Sequence, residues 1–207
     1  MQESEKKFHF VIYKTEEEKI KTIIENTILM MSNRIYIGNN GEKLPLLSFK
    51  KTLESVADLG DNVYTFKADN GTEYALKIVF QKISNTGKQS VINDFFKDYD
   101  KYSKIVVATG FNNKISQYAT KNSAQIFTEA SMLLDILSWY GQPKFEVMSP
   151  SEIERLKMEY NVSDYSLKKM LRTDPMAKYF GLKKGAVLRI ERDSPVSGKN
   201  VDYRVVS

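Results

Sequence analysis

The sequence contains no cysteine and a single histidine, His9. The first absence excludes disulfides, thiol nucleophiles and cysteine-rich zinc sites, and it fits an intracellular protein. With one histidine, neither a Cys–His dyad nor a histidine-rich metal site can form. His9 has no neighbour that would complete a ligand or base–orienter pair, so it reads as a packing or solvent-facing side chain. No apolar run approaches the roughly 20 residues that span a bilayer, and no membrane partner is expected. The start, Met1-Gln2-Glu3-Ser4-Glu5-Lys6-Lys7, is too charged for a secretion signal. Glycine-rich phosphate motifs are missing as well. Ser197-Gly198-Lys199 lacks the preceding glycine spacing and the following Ser or Thr, and it reads as a hairpin loop. Nothing here implies a cofactor, a bound metal or a catalytic residue, and no internal repeat or low-complexity tract is visible.

What is present is core material and a skewed charge. The 207 residues suffice for one large domain or two small ones, and 42% hydrophobic with 12% aromatic content argues against disorder. The formal charge is +5, unevenly spread. From Lys144 onward there are 13 Lys and Arg against 9 Asp and Glu, whereas the first 143 residues hold 18 against 17. The basic C-terminal third either faces nucleic acid or an acidic protein surface, or is an ordinary solvated face.

Thr15-Glu16-Glu17-Glu18 is a capping box, and Ile20, Ile23, Ile24, Thr27, Ile28 and Met31 then share one helical face, predicting a helix over 15–32. A short strand is expected at Arg34–Gly38, then a turn at Asn39-Asn40-Gly41. Leu44–Gly60 is ambiguous, with a helix around 49–57 as one reading. Asn62–Ala68 and Glu73–Phe80 read as a hairpin about Asp69-Asn70-Gly71. A helix capped by Ser90 to about Tyr102, a buried strand at Lys104–Ala108, a turn at Thr109–Asn113, a helix at Lys114–Lys121, a strand at Ala124–Thr128 and a helix at Ala130–Tyr140 follow. This alternation predicts an α/β sheet with βαβ crossovers. Gly141-Gln142-Pro143 breaks it, placing a domain boundary between 1–143 and 144–207. Beyond it come Phe145–Met148, a second capping box with Pro at Ser149-Pro150-Ser151-Glu152 and its helix to about Tyr160, and another short helix at Ser163–Leu171.

The last stretch carries the most specific pattern. Asp174-Pro175 opens a short helix that Gly181 ends; Lys183-Lys184-Gly185 turns; Ala186–Arg192 is a strand, Asp193–Asn200 a loop and Val201–Val206 a second strand. The run D-P-x-A-K-Y-F-G-L-K-K-G-x-V-x-x-I-x-R-x-S-x-x-x-G-x-x-x-x-Y-R-V-V extends from Asp174 to Val206. It closely resembles the C-terminal domain of the fifth subunit shared by eukaryotic nuclear RNA polymerases, and the small archaeal RNA polymerase protein that consists of little else. Phe145–Lys169 extends the likeness, and the rest of the chain matches the family's N-terminal domain in length and layout more than in residues.

The resemblance implies an N-terminal α/β domain with an inactive, nuclease-like mixed sheet and flanking helices, plus a small α+β C-terminal domain. It implies a non-catalytic subunit of a DNA-directed RNA polymerase whose active site lies in other chains. Its C-terminal domain would dock on the largest subunit and help assembly. Lys183, Lys184, Arg189, Arg192, Tyr203 and Arg204 are the docking candidates; the plain alternative is that Tyr203 and Arg204 hold the domain together. The N-terminal domain would be a jaw beside downstream duplex DNA. Where the family often carries T-P-S-A, this chain has Asn112-Asn113-Lys114-Ile115, leaving Asn113 and Lys114 as DNA-contact candidates against a solvated turn. Asp61, Glu73 and Lys77 lie where a nuclease would cluster carboxylates and a lysine, but their spacing differs, and solvated strand-edge charges explain them better. The rivals are a stand-alone DNA-binding protein and a nuclease. Abundant Lys, Asn and Ile suit a protist, implying a nuclear protein, or a large DNA virus, implying virion and host cytoplasm.

Overall fold

The computed structural model describes residues 14–38, 42–85, 87, 90–161, 166–194, 196 and 198–207. His9, the Asn39-Asn40-Gly41 turn, Ser163–Tyr165 of one expected helix, and Pro195 and Ser197 of the last loop lie outside the described residues. In chain order the elements are α1 (Glu16–Ser32), β1 (Ile35–Ile37), β2 (Lys43–Pro45), α2 (Phe49–Glu54), β3 (Ala57–Asp58), β4 (Val63–Lys67), β5 (Glu73–Ile83), α3 (Val91–Asp98), β6 (Ser103–Phe111), α4 (Asn113–Lys121), β7 (Ala124–Thr128), α5 (Glu129–Met132), β8 (Lys144–Val147), α6 (Pro150–Tyr160), β9 (Lys168–Met170), α7 (Pro175–Tyr179), β10 (Val187–Ser194) and β11 (Gly198–Val206).

The chain divides into two compact units, Met1–Ile28 with Phe49–Asp135, and Leu29–Ser48 with Ile136–Ser207. This differs from a single cut at 143. Leu29–Ser48 belongs with the C-terminal part, because Arg34, just past α1, sends its guanidinium to the backbone at the end of α7.

In the first unit, a five-stranded sheet runs in the order β3-β4-β5-β6-β7. The β4–β5 hairpin is antiparallel, closed by Gly71 at φ +84° and by the Thr72 N–H donating to the Asn70 side chain. β5, β6 and β7 are parallel, and α3 and α4 make the two crossovers. Ile105, Val106, Val107 and Ala108 are all buried, the continuous apolar run of a strand covered on both faces. Around it pack Ile92, Phe95 and Phe96 of α3, Ile115 of α4 and Ile126 of β7. α1 opens with the expected reciprocal cap: the Thr15 N–H donates to Glu18 at 3.0 Å and the Glu18 N–H to the Thr15 hydroxyl at 3.3 Å. Ile23, Thr27, Ile28 and Met31 are buried as the spacing requires.

In the second unit a four-stranded sheet has the order β8-β10-β11-β9. Helix α6 lies on one face, where Tyr160 meets Tyr203 at 6.5 Å between ring centroids. Helix α7 lies on the other, where Phe180 meets Phe145 at 6.2 Å. β1 and β2 pair separately. The cap of α6 is complete, since Ser149 and Glu152 exchange side chain and backbone bonds with Pro150 in the first turn.

Several expectations need correction. The helix over 130–140 is only α5 and a 3-10 turn at Ile136–Ser138. The chain leaves the first unit at Asp135, and burial changes with it: Met132 and Leu133 are buried, whereas Leu134, Trp139 and Tyr140 are exposed. At the end of the helix expected over 163–171, Lys168–Met170 is instead strand β9, held by parallel pairing to Arg204–Val206. α3 stops at Asp98, with Tyr99 and Tyr102 stacked edge-on beyond it. The turn read from Thr109 is still strand, because β6 pairs with β5 as far as Phe111. The last loop is shorter than 193–200, since Ser194 pairs with Gly198.

Candidate docking and nucleic-acid surfaces

Register decides where the basic candidates of the second unit point. Neighbouring residues on a strand face opposite sides, and directly paired residues face the same side. Arg189 lies opposite Tyr203 and Glu146, whereas Arg204 lies opposite Leu188 and Lys168, and Arg192 opposite Asn200. The six docking candidates therefore do not form one patch. Arg189 and Tyr203 share the α6 face, Arg192 and Arg204 share the α7 face, and Lys183 and Lys184 stand in the turn before β10.

On the α6 face, Arg189 bridges Glu146 at 3.3 Å and Glu191 at 3.2 Å, and Lys199 reaches Glu191 at 2.7 Å. Burial works against the charged guanidinium of Arg189. Its bonds to Tyr203 and Glu146 and the Glu191 charge outweigh that and raise its pKa. Lys43 closes the network, 3.3 Å from Glu146 and also paired with Glu152. Glu146, Arg155, Glu159, Tyr160, Arg189 and Tyr203 stand around a cavity of about 360 Å³. Here Arg189 is paired with the sheet's own acids Glu146 and Glu191 and bonded to Tyr203.

On the α7 face, Asp202 accepts from Lys168 at 3.0 Å and from Arg204 at 3.4 Å. Burial raises the pKa of the Asp202 carboxyl, and the bonds and charges of Lys168 and Arg204 more than reverse this, leaving it below the usual range. The sequence offers Lys168, Arg192 and Arg204 among the basic residues of a docking surface but does not single out Asp202, which β9 brings beside Lys168. No pattern in three residues of β9 signals a strand, so Lys168 had no face.

Lys183 and Lys184 are exposed on a turn held by backbone alone. Gly181 ends α7 at φ +63°, the Leu182 N–H donates to the Ala177 carbonyl, and the Gly185 N–H to that of Val206. A Cβ at Gly181 would lie 3.1 Å from the Arg34 guanidinium, so both its conformation and its space demand glycine.

In the first unit, Asn112 is the N-cap of α4 and accepts from the Ile115 N–H at 3.0 Å. Asn113 and Lys114 occupy the first turn, both exposed, with no acidic residue beside them. A helix start of this kind offers free N–H groups and a favourable dipole to an anion. The three nuclease-like residues do not cluster their carboxylates around the lysine. Lys77 donates to the backbone carbonyl of Asp61, Glu73 lies 3.8 Å from Lys67, and Glu73 and Lys77 are separated by about 13 Å of strand. Among the described residues, no group of three His, Cys, Asp or Glu is placed to hold a metal ion.

Residues 134–206 match the family model of the RNA polymerase Rpb5 C-terminal domain. The chain is 48% identical over 195 residues to DNA-directed RNA polymerase subunit 5 of Acanthamoeba polyphaga mimivirus, covering 94% of this chain and 95% of that protein. It is 34% identical over 106 residues to the RPABC1 subunit of RNA polymerases I, II and III of Caenorhabditis elegans, about half of each chain. Against the Dictyostelium discoideum subunit it is 26% identical over 196 residues, covering 88% of this chain and 94% of that one. A relationship of 48% running through both units, joined to the C-terminal match, places the chain in the subunit 5 (Rpb5) family of DNA-directed RNA polymerases.

Proposed function

We propose that this protein is a non-catalytic subunit of a multisubunit DNA-directed RNA polymerase, with the active site in other chains, and that its two units divide the work. The second unit docks on the largest subunit. The first is a jaw element beside downstream duplex DNA, an inactive relative of nuclease-like sheets, with Asn113 and Lys114 nearest the phosphates. The observation that carries the reading is the 48% identity to the viral subunit, which spans both units of this chain. Lys183 and Lys184 support docking because they are exposed and make no ion pair among the described residues, so a partner's carboxylates meet no internal competitor. Lys114 supports a weak, salt-sensitive DNA contact for the same reason. The stronger identity to a viral than to the cellular relatives favours a virus-encoded polymerase acting in host cytoplasm and packaged in virions, over a nuclear one.

The test is native capture with the tagged full-length chain, beside a Lys183→Glu, Lys184→Glu double variant, with bound proteins identified by mass spectrometry. Large polymerase subunits are recovered by the unaltered chain and depleted with the variant. A preparation without large subunits, from a chain that alone binds duplex DNA tightly at physiological salt, would replace the assembly reading with the stand-alone DNA-binding one.

A further inference from the structure

At one end of the α7 face of the four-stranded sheet, the register gathers five polar side chains. They are Lys168 of β9, Arg192 of β10, and Asn200, Asp202 and Arg204 of β11. With Val201 they line a notch of about 230 Å³. Lys168 and Arg204 hold Asp202 between them. Arg192 is exposed and makes no ion pair among the described residues. Three cations thus surround one carboxylate, and the notch keeps an excess of two positive charges.

We propose that this notch binds the carboxylate of an Asp or Glu side chain presented by an acidic segment of a protein partner. The inference rests on the assembly reading for the identity of the partner as a polymerase subunit, and not for its chemistry. The notch already holds one carboxylate, its own Asp202, by two donors. Arg192 offers a second, unused fork whose planar donors match a carboxylate bidentately. The extent of the charge favours a side chain over a nucleic-acid backbone. A polyanion needs a stripe of cations along which to lay its repeating phosphates. Here the cations occupy one end of the face, and the neighbouring positions Leu188, Ile190, Met170 and Val206 are buried core. Asp202 would also repel a second or third phosphate arriving beside the first.

The experiment uses the full-length, isotopically labelled chain and follows backbone amide shifts on titration with a hexaglutamate peptide. Inorganic phosphate and a short DNA duplex serve as parallel arms. Hexaglutamate is expected to shift Lys168, Arg192 and Asn200–Arg204 together, with an affinity that falls as salt rises. Arg192→Glu is expected to weaken it by about tenfold or more without moving the melting temperature, since Arg192 has no ion pair to lose among the described residues. Asp202→Asn is expected to tighten it, because it removes the resident competitor; a purely structural cluster would show no such gain. The proposal is overturned if hexaglutamate leaves these amides unmoved, if Arg192→Glu binds as well as the unaltered chain, or if only DNA or phosphate shifts them. Native capture of polymerase subunits is read separately. Capture without hexaglutamate binding removes the notch alone, and hexaglutamate binding without capture removes the assembly reading alone.

Discussion

Thr27 and Arg34 lie seven residues apart, one within α1 and one just past its end, and they set one buried polar group of each unit side by side. Thr27 belongs to the first unit, is fully buried, and its hydroxyl has no hydrogen-bond partner among the described residues. Arg34 belongs to the second unit, is 5% exposed, and its guanidinium is bonded. Its Nε donates to the Tyr179 carbonyl at 2.8 Å and an Nη to that of Lys178 at 3.0 Å, with the Met30 sulfur 3.7 Å away. The first unit buries Lys104 as well, 3% exposed, with its ammonium 3.4 Å from the Tyr99 and Asp100 carbonyls and 3.6 Å from the Asp100 carboxylate, so Thr27 is an exception within it. The second unit is smaller, carries charges on both sheet faces, and uses polar anchors to fix its parts. Buried polar groups confer definition only when their bonds are made, and the contrast sets Arg34 against Thr27 residue by residue.

The sharpest way to break that contrast is Arg34→Met. It removes a buried cation from the carbonyl end of α7 and takes the Nε donor from the Tyr179 carbonyl, while the Lys178 carbonyl keeps the Gly181 N–H. The expected loss is about 2 kcal/mol in urea unfolding, since losing a buried hydrogen-bond donor costs about 1–3 kcal/mol. Arg34→Lys should restore only part, because an ammonium cannot reproduce the fork that serves both carbonyls. A loss within error of zero would mean that the anchor is dispensable. In the first unit the sign reverses. Thr27→Val exchanges an unpartnered hydroxyl for a methyl at nearly constant helix propensity and is expected to stabilise by about 1 kcal/mol. A lower urea midpoint for that variant would show that the hydroxyl is bonded after all.

The same contrast explains what could be read in the sequence. Signals complete within a few residues translated directly: the Thr15–Glu18 and Ser149–Glu152 boxes, the Asp69-Asn70-Gly71 turn, the Asp174 cap and the Gly181 stop all stand as read. The buried run of β6 was legible because a strand covered on both faces needs no alternation. What was lost depended on partners far along the chain. β9 is three residues long and exists because β11 pairs with it. Arg34 looks like a solvated cation at a strand start, and its acceptors are more than 140 positions away. Tyr203 and Arg204 read as one docking pair because they are adjacent, yet adjacency in a strand is what sends them to opposite faces. Met30 is buried off the expected stripe of α1, its sulfur 3.7 Å from the Arg34 guanidinium.

The smallest effect concerns acid, and it sharpens the comparison because each unit holds a partly buried carboxylate paired with a lysine. For Glu129 in the first unit, burial raises the pKa, but the bonds from Lys19 and Thr109 and the Lys19 charge leave it lowered. For Glu152 in the second, burial again raises it, and Lys43 with the Ser149 backbone and hydroxyl bring it below the ordinary value. A carboxyl lowered on folding contributes stability that is fully present above its unfolded value of about 4.3 and is lost as pH falls through the folded value. Both units should therefore weaken on acidification from about pH 4.5 downward. Glu129→Gln and Glu152→Gln should each start less stable at neutral pH and lose less toward acid, measured as urea midpoints across that range. The Glu152 side chain is 28% exposed against 12% for Glu129, so salt should erode the Glu152 contribution first. Equal erosion of both would mean that exposure does not set the strength of these anchors, and the two units would then differ in the number of their polar contacts rather than in kind.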